Sequence, residues 1–517
     1  MKLGIDFGTT RTVVAAAAGG RHPLATFDVG GAYQEWLPGY VARVGGVLRY
    51  GWEAREALLG GAGAAVRSLK RALGGLAPDA PVEELGAPAV SALEVLTGYL
   101  GHLRAMICEH SNLDLDAAGA GAPLAATVAV PANASSRQRY LTLEAFGRAG
   151  FRVDALLNEP TAAAIEFAHR NRAVLADKSP KSYVVVYDLG GGTFDTSAVS
   201  LRGRGFELLA TEGIARLGGD DFDEALLDLV LARAGVARDA LEPPRVAALL
   251  DLCREAKETL RATTRQLHVE PGAHLPGVES IAVDTAELYD RCAPLVERTL
   301  ALVDRLFVRL PEHGIDPANP RELGGLYLVG GAAAFPAVAR ALRAVHKRKI
   351  ALAPQPHAAT AVGLAVAADP DAAVLVREAV TRHFGVWREA ESGREPVFDA
   401  IISKDTAPGD VPLVVERAYR PRHTVGHLRY LECTAIGARG EPAGDLTPWR
   451  AVHFPYDPAL AGGDEGALAN AAAERTLGLA GEEIVETYTY GRDGSIRVRI
   501  ANRTSGYARE YRLDGAS

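Results

Sequence analysis

Apolar positions fall into two regimes along the chain. Helical spacing is plain over 89–110, where Val90, Leu93, Leu96, Leu100 and Leu103 recur on one face. ATVAVP at 126–131 reads as a strand and 138–149 as the helix after it, while 221–262 and 284–311 read as long amphipathic helices. GGLYLVGG at 324–331 predicts a buried strand whose closing glycine pair opens a helix at 336–346. Helices and strands alternate throughout this part, so it is α/β. From about 383 the pattern changes to short strand-like runs and Pro/Gly turns, with one brief Ala-rich piece at 466–476. The last strands alternate apolar and polar residues around Asp493-Gly494, a hairpin signal. The change of regime places a domain boundary near 370–380.

Two stretches share one layout. MKLGIDFGTTRTVVAAAA opens the chain, and VVVYDLGGGTFDTSAV (184–199) repeats its order of apolar strand, aspartate, glycine turn, threonine and second apolar strand. Both predict β-hairpins whose turns need positive φ or close backbone approach. The repeat predicts a duplicated α/β lobe with a cleft between the copies. Glycine-bordered turns let backbone N–H groups reach phosphate oxygens, and an aspartate at the strand end can hold hydrated Mg²⁺. A single glycine run suits a plain hairpin turn equally well; two copies with Asp6 and Asp188 in the same place favour phosphate.

Composition narrows the classes. At 517 residues the chain is long enough for two to four domains, and 48% hydrophobic with 23% charged residues argues against global disorder. A net charge of −8, with no basic block longer than HKRK at 346–349, disfavours nucleic acid as a partner. Cys108, Cys253, Cys292 and Cys433 form no CxxC pair, which argues against zinc and a disulfide framework and fits a reducing cytoplasm. With no leader-like start and no apolar run of spanning length, a soluble, unprocessed protein with no membrane partner is expected.

The motifs GIDFGTT (4–10), AVPANASSRQR (129–139), NEPTAAAIEF (158–167), YDLGGGTFD (187–195), LGGDDFD (217–223) and LYLVGG (326–331) resemble, in order and spacing, the Hsp70 chaperones of the actin/hexokinase-like ATPase superfamily. The resemblance implies a duplicated two-lobed ATPase domain over 1–370, a linker over 371–382 containing VLVRE (374–378), and a small, mostly β, sandwich-like domain over 383–517 without the family's helical lid. It implies ATP or ADP with Mg²⁺ as cofactors, with Asp6 and Asp188 around the metal through water. Gly8, Thr9, Thr10, Gly190, Gly191, Gly192, Gly218, Gly219, Lys257, Gly330 and Gly331 would bind the nucleotide, and Lys70, Glu159, Asp195 and Thr193 would form the catalytic set. Hydrolysis asks for charge stabilisation at the γ-phosphate and an oriented water, which suits a lysine among carboxylates. Read without the family, Lys70 is a solvated helix lysine, and Glu159 and Asp195 are capping or turn residues. Pro131 and Arg139 match positions the family uses between cleft and linker.

The nucleoside side departs from the family. Its C-E-x-A-K-x-x-L-S helix becomes Cys253-Arg254-Glu255-Ala256-Lys257-Glu258-Thr259-Leu260-Arg261, which keeps only Lys257 in register. Its Ser-x-Arg after the glycine pair is Ala332-Ala333-Ala334, and its Asn-Pro-Asp-Glu-Ala is Gln355-Pro356-His357-Ala358-Ala359. Three or four uncompensated contacts at roughly 1 kcal/mol each would weaken binding by about 100- to 1000-fold. The alternatives are weak affinity, relaxed base choice, or new contacts from Arg254 or Arg261.

Two functions follow. The first is an ATP-hydrolysing Hsp70-like chaperone, a monomer that couples its nucleotide state through the linker to unfolded or extended protein segments, with a J-domain co-chaperone and a nucleotide-exchange factor. The second is a non-hydrolysing adaptor that binds one specific protein partner. The Hsp70-type motifs speak against a small-molecule kinase of the same superfamily.

Overall fold

The computed structural model describes all residues except 62–63, 75, 115–121, 173–174, 176–178, 202–204, 348, 373, 378–379, 391–394, 405, 407–411, 450, 492–494 and 513–517. Two compact units are present: residues 1–132 with 144–376, and residues 133–143 with 377–517.

The first unit contains the same sheet built twice. In the first copy Lys2–Phe7 pairs antiparallel with Arg11–Ala17 and parallel with Leu124–Val130, which pairs parallel with Phe151–Asn158. In the second, Tyr183–Leu189 pairs antiparallel with Phe194–Ser200 and parallel with Leu323–Val329, which pairs parallel with Ile350–Leu352. Gly205–Ile214 extends this second sheet and carries Leu375–Arg377 at its edge. The central strands are buried on both faces, as their near-continuous apolar runs require. The predicted duplicated α/β lobe is therefore present.

Helices Glu159–Arg170 and Ala359–Ala368 each follow a copy and pack closely on one another. Small residues make this possible: a Cβ on Gly363 would strike the Ala162 backbone, and one on Gly4 would strike the backbone of Ala361 and Leu364.

Each copy also carries an insertion. In the first, Tyr40–Val44, Val47–Tyr50 and Ala65–Arg67 form a small antiparallel sheet backed by helix Gly51–Leu59. Helix Ala92–Glu109 begins at a capping box in which Ser91 and Glu94 satisfy each other's backbone N–H groups. In the second, 221–262 is not one helix but two, Gly219–Ala234 and Pro243–Glu258. Gly235 takes the left-handed conformation (φ 66°) that ends the first, and the next starts on Pro243, whose fixed φ suits a first helical position. Helix Thr285–Arg309 completes this insertion.

The second unit has a five-stranded antiparallel sheet, Glu395–Ile402, His383–Ala390, Val425–Ile436 and Pro442–Pro448 with Val452–Pro455 on the same long strand. A four-stranded sheet runs Leu413–Tyr419, Ile484–Tyr490, Ile496–Asn502, Ala508–Arg512. Leu413–Tyr419 and Ile496–Asn502 alternate strictly in burial, as strands with one covered face do. Phe384, Val386, Tyr430, Phe454, Ile484, Tyr488 and Val498 form the shared core. The wholly buried Glu486 accepts hydrogen bonds from Arg388 Nη2 (2.6 Å), Tyr419 Oη (2.5 Å) and Tyr488 Oη (2.6 Å), and Arg388 also bonds Asp399 (2.7 Å). The Asp493-Gly494 turn lies outside the described residues, but the strands it would join pair from Tyr490 opposite Ile496. Among the described residues, no helix is long and apolar enough to cross a membrane.

Candidate functional site

The two repeated hairpins close with the same hydrogen bond. Gly8 N–H donates to Arg11 O at 3.0 Å, and Gly190 N–H donates to Thr193 O at 3.1 Å. Each central strand thus delivers an aspartate two residues before its turn, Asp6 in one and Asp188 in the other.

The turns meet tip to tip. A Cβ on Gly191 would fall on Thr10, 2.7 Å from its Oγ1 and closer to Cγ2, and a Cβ on Gly192 would lie 2.7 Å from Thr9 Cγ2. The second turn is anchored from behind by the start of helix Gly219–Ala234, where Gly219 N–H donates to Gly190 O (2.9 Å) and Asp220 N–H to Gly191 O (2.7 Å). Gly218 must be bare here, because a Cβ on it would meet the Gly191 carbonyl. With those carbonyls occupied, the N–H groups of Thr9, Thr10, Gly191 and Gly192 make no hydrogen bond among the described residues. Unpaired backbone donors on opposed glycine turns are an arrangement made for an anion.

Behind the turns lie the acids. Asp188 faces Asp195 across the second hairpin. Gly330, at φ 84°, brings its backbone so close that a Cβ would lie 2.6 Å from Asp188 Oδ1. Glu159 begins the helix after Phe151–Asn158 and accepts from Lys70 Nζ at 2.5 Å; Lys70 stands on the short helix Leu69–Leu73. Burial pushes Asp6 up to about 7, with Glu159 adding to the rise and Lys70 opposing it. The same three influences bring Asp195 to about 7. Burial, with Glu159, Asp6 and Asp195 adding, lifts Asp188 well above the ordinary carboxylate range. Asp6 Oδ1 is buried and has no hydrogen-bond partner among the described residues. A buried carboxylate with an orphaned oxygen is costly unless a cation neutralises it. This donor set therefore fits a hydrated Mg²⁺. Among the described residues, no group of three or more His, Cys, Asp or Glu side chains is assembled to hold a metal.

The residues expected to face a nucleoside are arranged differently from that expectation. Lys257 Nζ is buried and committed to Asp223 (2.6 Å) and Gly219 O (2.6 Å). Arg254 is not available as a replacement contact: it bonds Asp220 (2.8 Å), Asp223 (3.4 Å) and Tyr40 Oη (3.0 Å). Burial disfavours the Asp220 charge, but Arg254 and Arg67 beside it hold its carboxyl below the ordinary range. Arg261 is turned onto the carbonyls of Glu258, Thr259 and Leu260 at 3.0–3.3 Å. Sequence reasoning missed Arg11, whose Nη2 donates to Glu258 at 2.5 Å and whose guanidinium lies 4.2 Å over the Trp36 ring. The signal available was a bare arginine directly after the first glycine turn. His357 bonds Glu35 at 3.0 Å. Burial, then Arg11, lowers its pKa against the pull of Glu35 and Glu258.

The sequence has recognisable relatives. A family model described as Hsp70 protein matches residues 105–381. The chain is 33% identical over 381 residues to the chaperone protein HscA homolog of Burkholderia orbicola (strain MC0-3), covering 71% of this chain and 58% of the relative. It is 34% identical over 389 residues to the homolog of Burkholderia cenocepacia (strain HI2424) and 34% over 387 residues to that of Burkholderia thailandensis, with the same coverage. The match thus spans 58% of the length of these curated relatives.

Proposed function

This chain belongs to the Hsp70 family, and from that premise we propose that it binds and hydrolyses ATP as an Hsp70-type molecular chaperone. The observation that carries the reading is the meeting of the two turns, with four unpaired backbone donors in front and Asp6, Asp188, Asp195 and the Lys70–Glu159 pair behind.

In this reading Gly8, Thr9, Thr10, Gly190, Gly191 and Gly192 cradle the phosphates, and Asp6 and Asp188 hold the hydrated Mg²⁺. The metal, when bound, supplies positive charge against the β- and γ-phosphates. Lys70 gives a fixed cation where negative charge develops, and Glu159 and Asp195 orient the attacking water, with Thr193 closing the turn beside them. Gly218, Gly219, Lys257, Gly330 and Gly331 form the scaffold around the ligand. The nucleotide state of 1–370 is coupled through 371–382 to extended protein segments bound by 383–517. The HscA relatives are named as chaperones, which supports a chaperone's use of the switch; in this reading a J-domain co-chaperone and an exchange factor act on it.

A second reading, a nucleotide-binding adaptor without turnover, draws on the commitment of Lys257, Arg254 and Arg261 to internal partners. Calorimetric titration with Mg·ADP tests the site directly. Saturable binding that Asp188→Asn weakens is expected; no heat up to millimolar nucleotide would overturn both readings.

A further inference from the structure

The nucleotide reading leaves the base unassigned, and the inference here rests on that reading. Glu159 at the back of the site is 12% exposed, whereas Arg11 and Glu258 are 21% and 43% exposed. With its phosphates on the turns, a nucleotide in this reading leaves its base on the side of Gly331, Arg11 and Glu258. Within 4 Å of a Cβ built on the exposed Gly331 stands one atom, Arg11 Nη1 at 3.9 Å, so this face of the glycine pair opens onto the guanidinium. Trp36 lies beneath that guanidinium at 4.2 Å, with His357 edge-on to the indole at 5.8 Å, and Glu258 fixes it from the side.

The groups that would read the edge of a base are spent elsewhere. Lys257, Arg254 and Arg261 are held by internal partners, and Ala332, Ala333 and Ala334 offer no side-chain donor or acceptor. What faces the opening is the flat, delocalised cation of Arg11. Guanidinium groups stack on aromatic faces, and every base has such a face.

We propose that Arg11, supported by Trp36 and held by Glu258, is a stacking platform for the nucleobase, so that the chain selects its ligand by polyphosphate and ring face and takes ADP and GDP nearly alike. Strong discrimination comes from edge hydrogen bonds that a wrong ligand leaves unpaired, and Lys257, Arg254 and Arg261 are held by internal partners instead.

The test is calorimetry on the full chain with Mg·ADP, Mg·GDP and Mg·pyrophosphate, for the wild type, Arg11→Lys and Trp36→Leu. ADP and GDP should bind within about 3-fold of each other, and Arg11→Lys, which keeps the charge but loses the plane, should weaken both by roughly 10-fold. Trp36→Leu should act in the same direction, and pyrophosphate binding should not change. An ADP preference above about 30-fold would mean edge reading and overturn the proposal. So would equal losses for pyrophosphate, which would make Arg11 a phosphate contact. If the wild type binds nucleotides but is indifferent to both variants, the platform fails and the nucleotide site stands; if it binds none of the three ligands, both fail.

Discussion

Adding one methyl group at Gly191 separates a steric account of the two turns from a purely compositional one. The new Cβ would lie 2.7 Å from Thr10 Oγ1 and nearer to Cγ2, whereas ordinary contact begins at 3.4 Å. The turns must then separate by at least roughly 0.7 Å, because Thr10 is short and cannot swing far on a turn hydrogen-bonded to Gly39. Overpacking of this kind costs about 1–3 kcal/mol. A displacement near 1 Å at reacting groups costs on the order of 100-fold in rate. Gly190→Ala is the internal control, since its Cβ would meet nothing nearer than Thr193 O at 3.7 Å. Differential scanning calorimetry of the ligand-free chain should show Gly191→Ala impaired and Gly190→Ala close to wild type, and single-turnover ATP hydrolysis should show Gly191→Ala slowed. Thr10→Ala in the Gly191→Ala background removes the two worst contacts and leaves Cβ at 3.0 Å, so it should restore most of the stability. Equal behaviour of the two alanine variants would refute the reasoning.

Further expectations concern charge. Asp188→Asn and Lys70→Met should fold normally and lose about 10²–10³ in hydrolysis rate, the usual loss for a preorganised charge at a transition state; phosphate release is the readout. Asp195 ionises at about 7 in the fold against an ordinary 3.8, so the metal-free protein loses stability as pH rises from about 4 to about 7. The difference is worth roughly 4 kcal/mol. Asp195→Asn should make that slope shallower, leaving the share of Asp6 and Asp188, and be more stable than wild type at pH 8 in EDTA, which thermal melts across this range would check. In the second unit, Arg388→Met strips the cation from the buried Glu486 and should cost about 3–5 kcal/mol by denaturant titration. Adding Glu486→Gln should recover most of that loss.

What could be read from sequence was what repeats or stays local. The hairpins carrying Asp6 and Asp188 are encoded within stretches of fewer than twenty residues, so their strands, turns and shared layout are visible without any tertiary information. Lys70 and Glu159 are 89 residues apart, and nothing in either stretch says they meet; only the family resemblance paired them. The split of 221–262 was signalled by Gly235 and Pro243, but the apolar period carried across them and outweighed the breakers. Arg254 and Arg261 look free in sequence because their partners, Asp220, Asp223 and backbone carbonyls, are fixed only by packing. The Arg388–Glu486 bond depends in the same way on which strands become neighbours.

The central claim is that the opposed turns, with Lys70 and the buried acids behind them, hydrolyse a nucleotide. Mixing excess protein with Mg·ATP and following phosphate release in a single turnover tests it most directly. Slow release from the wild type, cut about 10²–10³-fold by Lys70→Met, is the expected result; release no faster than from Mg·ATP alone would contradict it.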